Sequence, residues 1–316
     1  MIKIKRVILV LCISLVCIAF LSGCIESGQD STQSTPEDYP LTIVDSLGRN
    51  VTIFKQPERI VSLAPSNTEI LFAIGLSERV VGVTDYCNYP LAAQEKDKVG
   101  GFSTVNIEKV VALEPDLILA AGMHESIVGD LERLGLIVVV LDPKNVDDIL
   151  ENIILVGKIT GQVGVAEELT ASMGHRINAI TDKMENAQRL NVFYVTWYDP
   201  LKTAGPGTIT HELIQLAGGS NIAGDAKTEY PVYSLEMLIE RNPDIIIVSS
   251  RHGAGGPTVE NMRVLLQDTN ISAARSDRIH GIDTDLVARA GPRIVDGLEE
   301  MARYIHPELF EGGGYQ

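Results

Sequence analysis

Aromatic residues are scarce, at 5% of 316 residues with one tryptophan. Rings therefore cannot be the main filler of a core, and a ring outside a core-like period is a candidate for another task. Cysteine is as rare. Of Cys12, Cys17, Cys24 and Cys87, the first three lie at the extreme N-terminus, so no intramolecular disulfide is expected in the rest and stability must come from packing. Cys87 reads as a small buried hydrophobe with no partner to make it a nucleophile. Basic residues are outnumbered, 26 Lys and Arg against 42 Asp and Glu, which argues against nucleic acid as a partner. The histidines at 124, 175, 211, 252, 280 and 306 show neither an i, i+4 pair nor an acid at metal-motif spacing, so no metal site is expected. No G-x-S-x-G occurs, and Ser66 lies in Ala64-Pro65-Ser66-Asn67-Thr68, which suits a strand-to-helix turn. Nothing assembles a catalytic set, and a protein that is not an enzyme is expected. A hydrolase, the rival class, would need a convergent nucleophile and base.

What is present begins with Lys3, Lys5 and Arg6, an apolar run from Val7 to Phe20 too short for a confident membrane span, and Leu21-Ser22-Gly23-Cys24. This resembles a lipoprotein signal peptide over residues 1–23. The resemblance implies a diacylglycerol on the Cys24 thiol and a mature protein held at the extracytoplasmic face of the cell membrane. An uncleaved anchor helix is the alternative. From Cys24 onward the chain has 23 basic and 42 acidic residues, a net charge of −19. Residues 24–38 are polar and read as a flexible tether.

The strongest internal signal is a segment that occurs twice. Ile107-Glu108-Lys109-Val110-Val111-Ala112-Leu113-Glu114-Pro115-Asp116-Leu117-Ile118-Leu119 returns as Leu235-Glu236-Met237-Leu238-Ile239-Glu240-Arg241-Asn242-Pro243-Asp244-Ile245-Ile246-Ile247. Each copy spaces apolar residues as a short helix, which a proline ends before an apolar strand. Two similar α/β lobes follow, one over residues 39–144 and one over 189–310. Strands are expected at Ile60–Leu63, Val80–Thr84, Leu117–Ala120, Ile137–Leu141, Val192–Thr196, Ile245–Val248 and Arg278–Ile282. Alternation with helices makes the sheets parallel. Residues 145–188 carry helical periodicity with a break at Gly161, and Val163–Asn186 reads as a single long helix joining the lobes. Such a spine predicts little hinge motion.

Ligands of open parallel sheets bind beyond the carboxyl ends of the strands, and most rings of this chain fall there. Tyr86 and Tyr89 follow the second strand, Phe102 lies in Gly100-Gly101-Phe102-Ser103, Trp197 and Tyr198 follow the first strand of the second lobe, and Tyr230 and Tyr233 precede its repeated helix. A slot lined this way suits a large, flat, partly apolar ligand. Packing under a loop is preferred for Tyr89, the site for Trp197 with Tyr198. His124 and His252 each follow a repeated strand, with exposed surface positions preferred over ligand contact. Gly205-Pro206-Gly207-Thr208 offers either free amides to an anion or a loop capped by Thr208. Gly253-Ala254-Gly255-Gly256-Pro257 lacks dinucleotide-loop spacing and reads as a turn.

The motifs Ser62-Leu63-Ala64-Pro65-Ser66-Asn67-Thr68-Glu69-Ile70-Leu71, Gly82-Val83-Thr84-Asp85-Tyr86, Asn88-Tyr89-Pro90, the Pro115-Asp116 strand and Ala288-Arg289-Ala290-Gly291-Pro292-Arg293 resemble the cobalamin-binding subgroup of the substrate-binding proteins serving type II ABC importers. The resemblance runs from Leu41 to Tyr304. It implies a class III periplasmic binding protein fold, two Rossmann-like lobes bridged by a long helix. It further implies that Tyr86, Phe102 and Tyr230 contact a corrin ring, and that Glu108 and Glu236 pair with arginines on a membrane permease. This chain departs from the pattern at Ala121 and Lys202, where large aromatics are expected, and Trp197 or Tyr198 fills that gap. Lys202, Arg251 and Arg289 instead suit an anionic ligand, as in ferric-siderophore or haem binders of the same superfamily. The expected protein is thus a monomeric, lipid-anchored receptor that takes a corrinoid or another large metal chelate and delivers it to an ABC permease and ATPase complex, with no cofactor of its own.

Overall fold

The computed structural model describes residues 39–250 and 256–310. The first lobe opens on an antiparallel hairpin, β1 (Leu41–Val44) with β2 (Asn50–Ile53), too short to announce itself in the sequence. Next come β3 (Ile60–Ser62), β4 (Val80–Val83), β5 (Asp97–Lys98), β6 (Leu117–Ala121) and β7 (Val138–Leu141), a parallel sheet ordered β5-β4-β3-β6-β7. Helices α1 (Pro65–Ala73), α2 (Ile107–Ala112) and α3 (Glu125–Arg133) connect them. All four residues of β7 and four of the five of β6 are buried, as unbroken apolar strands under helices must be. Gly75 and Gly135, both at φ +81°, end α1 and α3 in the left-handed region.

Two helices follow. α4 (Val146–Thr160) ends at Gly161, φ +70°, as its sequence requires, and α5 (Val163–Met184) carries the chain to the second lobe. There β8 (Leu190–Val195), β9 (Gly219–Asn221), β10 (Ile245–Ser250) and β11 (Ile279–Asp283) form a second parallel sheet, ordered β11-β10-β8-β9. Its helices are α6 (Ile209–Leu216), α7 (Leu235–Arg241), α8 (Val259–Leu266), α9 (Ser272–Arg275), α10 (Thr284–Ala288) and α11 (Ile294–Ile305). Helix α11 begins only at Ile294, because Arg289 to Arg293 form a turn docked on the first lobe.

The duplicated segment has one structural job in both lobes. Asn106 and Ser234 accept the Lys109 and Met237 amides and so cap α2 and α7. Asp116 accepts the Glu58 and Arg59 amides at the entry to β3, and Asp244 accepts the Asn191 amide at the start of β8. Each Pro-Asp pair therefore ties its own strand to the neighbouring central strand at the amino edge of the sheet. That leaves the carboxyl edges free for other work.

One hydrophobic cluster runs through both lobes. It takes Ile60, Leu117 and Leu141 from the first sheet, Ile153 and Met173 from α4 and α5, and Val192, Ile247 and Leu298 from the second lobe. The outer faces of the two sheets carry separate smaller cores, around Val61 and Ile118 and around Phe193 and Ile246. All described residues belong to one compact unit.

Candidate functional site

Both sheets have a point where successive connections leave in opposite directions, between β3 and β6 in the first and between β8 and β10 in the second. Open α/β sheets hold ligands outside the carboxyl ends at such points. The rings gather there. Tyr86 follows β4 and is 62% exposed, and Trp197 follows β8 and is 39% exposed. Tyr230, in the loop before α7, is 57% exposed. A water-facing ring forfeits the stabilisation that burial gives, so these positions are not explained by folding.

On the first lobe the loop bearing Phe102 is built by Gly100. Its φ of +103° and the 2.7 Å that would separate an added Cβ from the Thr104 carbonyl admit only glycine. The adjacent Gly101 lies against the Tyr86 ring, 3.9 Å from a notional Cβ, so the loop that bears Phe102 packs on Tyr86. The surface expectation for His124 is corrected: it is buried at 3% exposure. Its Nδ1 accepts the Ala121 amide at 3.0 Å, which leaves the proton on Nε2 to be donated to the Phe102 carbonyl at 2.7 Å. The Phe102 ring meets it edge-on at 5.3 Å. Burial lowers the pKa of His124 and keeps it neutral. His124 thus fastens the Phe102 loop to the end of β6.

On the second lobe Trp197 pairs with Lys202, and Lys202 pairs with Val232, in a short antiparallel patch. The indole N–H donates to the Asp199 carbonyl at 2.8 Å and leaves the ring half-exposed. Tyr198 turns back onto the outer core beside Leu235, so of the Trp-Tyr pair Trp197 is the one that faces solvent. Tyr233 is 5% exposed, packs against Phe193 at 5.3 Å and donates to the Ile222 carbonyl; it is a core residue. Exposed Val232 joins the patch, and no sequence signal marked it.

The lobes meet between these two patches. Arg289 donates to Glu69 at 3.2 Å and to Asn88 at 2.7 Å and pairs with Asp285, so it links the two lobes and is already bound to carboxylates. Arg293 is bidentate to Glu69 and lies 3.9 Å over the Tyr89 ring, which is 46% exposed rather than packed under a loop. Further along, Lys144, Thr208, Glu229, Tyr230 and Ala288 line an interlobe crevice of about 150 Å³. Thr208 caps α6 and the Gly205 amide is spent on Glu229, so that loop is a helix entry and not an anion cradle. Glu212 reaches across to the Val146 amide at 2.8 Å. Its own burial and the charges of Asp147 and Asp148 raise its pKa. A concavity of about 1000 Å³ runs along α4 and α5, and none of the ring-bearing loops lines it.

Glu108 and Glu236 are exposed in the first turns of α2 and α7. Cys87 is buried and bonded to Thr68 and Thr84, as its composition suggests. Among the described residues no cluster of His, Cys, Asp or Glu could hold a metal, and no helix is long and apolar enough to cross a membrane. Cys24, the signal and tether segments, Arg251, His252 and Gly253 to Gly255 lie outside the described residues.

The model of the periplasmic binding protein family matches residues 60–286. An uncharacterized ABC transporter substrate-binding lipoprotein, YvrC of Bacillus subtilis, is 33% identical over 92% of this chain and 94% of its own length. The vitamin B12-binding protein of Vibrio cholerae is 30% identical over 78% of this chain and 89% of that protein. A crystal structure of the Vibrio cholerae protein BtuF superposes with a TM-score of 0.68 at 27% identity, covering 81% and 98% of the two chains. The periplasmic heme-binding protein RhuT of Roseiflexus superposes with a TM-score of 0.70 at 26% identity, covering 80% and 99%.

Proposed function

Because this chain belongs to the periplasmic binding protein family, we propose that it is the extracytoplasmic receptor of an ABC importer and captures a corrinoid between its lobes. The observation that carries this reading is the set of exposed rings, Tyr86, Trp197 and Tyr230, at the carboxyl edges of two sheets that share one core. A corrin is broad, flat and apolar on its faces, with amide-bearing arms at its rim. Rings on both walls would cover the faces, with Phe102 and the edge of Tyr198 beside them, while Lys202 and Arg289 would meet polar arms. The likeness in sequence and in structure to the vitamin B12-binding protein of Vibrio cholerae supports the same ligand class. Since helices in βαβ units start at the carboxyl edge, Glu108 and Glu236 open helices on the ligand side of each lobe. Two acids in equivalent places suit a two-fold symmetric permease bearing arginines. Cys24 would carry the lipid that keeps the receptor at the membrane.

A second reading, haem or a ferric siderophore, is favoured by Ala121 and Lys202 in place of rings and by the likeness to a heme-binding structure. Calorimetric titration with cyanocobalamin, haemin and a ferric siderophore separates them. Saturable binding of cyanocobalamin at one site per chain is expected. Retention of haemin with none of cyanocobalamin would reverse the order.

A further inference from the structure

Glu69 is the one residue of α1 whose burial makes no sense within its own lobe. Its side chain is 2% exposed, yet both partners, Arg289 and Arg293, come from the far end of the chain. A carboxylate out of water is held in its charged form only by such pairing. Arg293 grips it with two bonds of 2.9 and 2.6 Å, and Arg289 adds a third at 3.2 Å. The same two arginines then reach one loop of the first lobe, residues 85–90. Arg289 donates to the Asn88 side chain at 2.7 Å and reaches the Tyr86 carbonyl at 3.4 Å, while Arg293 lies over the Tyr89 ring. The loop's other ties lie at its base, where the Asp85 amide bonds to Gly100 and the buried Cys87 to Thr84 and Thr68, and at the Asn88 carbonyl, which accepts from Gln94; the Tyr86 ring projects into solvent.

We propose that Glu69 is a positioning residue of the ligand slot: by clamping Arg289 and Arg293 of the second lobe, it sets the Tyr86 loop and the separation of the two ring-bearing walls. Glu69 is too buried to touch a ligand, so its effect passes through the arginines. The triad turns two independent walls into one jaw, because the arginine that pins the first wall is anchored in the turn leading into α11 of the second. The inference deepens the binding reading and rests on it for its consequence in affinity, but its geometric part stands without any ligand.

The test is hydrogen exchange by mass spectrometry on the ligand-free full chain, wild type against Glu69→Gln, which keeps shape and removes the charge. Exchange of the peptide spanning residues 84–91 is expected to rise about tenfold or more, while peptides from α3 and α8, far from the triad, stay unchanged. Glu69→Asp, which keeps the charge, should restore part of the protection. Arg289→Gln is the second variant, should Glu69→Gln fail to fold; it removes both loop contacts, leaves Arg293 on Glu69, and should loosen the same peptide. Cyanocobalamin and haemin are then titrated into each folded variant, and whichever the wild type binds should bind Glu69→Gln about tenfold more weakly. Unchanged exchange at 84–91 in a folded variant overturns the proposal, as does uniform loosening of all peptides, which would mean a purely structural role. A wild type that binds neither compound overturns the corrinoid and haem readings and leaves the exchange result to decide the positioning role.

Discussion

The two lobes agree at one end of their sheets and differ at the other. At the amino edge, Asp116 and Asp244 stand 128 residues apart in the duplicated segment and bond the entry amides of the neighbouring central strands alike. At the carboxyl edge the first lobe offers Tyr86 and Phe102 on glycine-built loops, the second Trp197, Lys202 and Val232 on a short antiparallel patch. Repetition therefore marks what holds the scaffold, and divergence marks the edge that would meet the proposed ligand. A slot between unlike walls grips an asymmetric guest in one orientation, which identical walls could not do.

The comparison breaks most visibly if a core ring is mistaken for a site ring. Tyr233→Ala is expected to cost about 3–5 kcal/mol of stability in chemical denaturation, since it empties a packed position and leaves the Ile222 carbonyl with Arg241 alone. Next in size are the strand ties. Asp116→Ala should lose about 2 kcal/mol and Asp244→Ala about 1 kcal/mol, because the first accepts two neighbouring amides where the second accepts one; equal losses would show that something other than these bonds sets the edge. Tyr86→Ala and Trp197→Ala should each weaken ligand binding by about 1–1.5 kcal/mol, roughly tenfold, with stability changed by under about 0.5 kcal/mol. A fall in melting temperature matching that of Tyr233→Ala would place those rings in the scaffold class.

The smallest effect is one of pH. Burial lowers the pKa of His124, His211 and His280 below the unfolded value near 6.5. The neutral rings therefore contribute fully above about pH 6.5, and stability falls as pH drops below it. Glu212 runs the other way, its raised pKa contributing at acid pH and losing its effect as pH rises, so it opposes the histidine trend. Thermal melts from pH 7.5 to 5.5 should show the decline, flattened in part by His124→Gln, whose amide can keep both bonds to Ala121 and Phe102. An identical slope in the variant would remove His124 from the account.

Much of this was legible because periodicity is local. The α/β alternation, the Gly161 break and a long helix from Val163 were all written in apolar spacing, and the structure differs only by a residue or two at most ends. The hairpin β1–β2, the two- and three-residue strands β5 and β9, and the one-turn helices α9 and α10 were not, since such lengths leave no period to detect. At the site, exposure of Tyr86 and Trp197 followed from their placement at strand ends, and the same placement misled for Tyr233, whose hydroxyl found a carbonyl under the loop. Composition likewise left His124 on the surface, because two backbone partners that satisfy an imidazole cannot be seen before the chain folds. Glu69 meets its arginines across 220 and 224 residues, a pairing that only tertiary structure creates.

The cluster of apolar side chains common to both sheets has a consequence for how the polypeptide must be made. Met173 and Ile180 of α5 are completed by Ile294, Leu298 and Met301 of α11, more than 110 residues later in the chain. Until that helix arrives, a nascent chain leaves part of the apolar stripe of α5 uncovered. Ile294, Leu298 and Met301 thus close a core whose other members lie far earlier in the sequence.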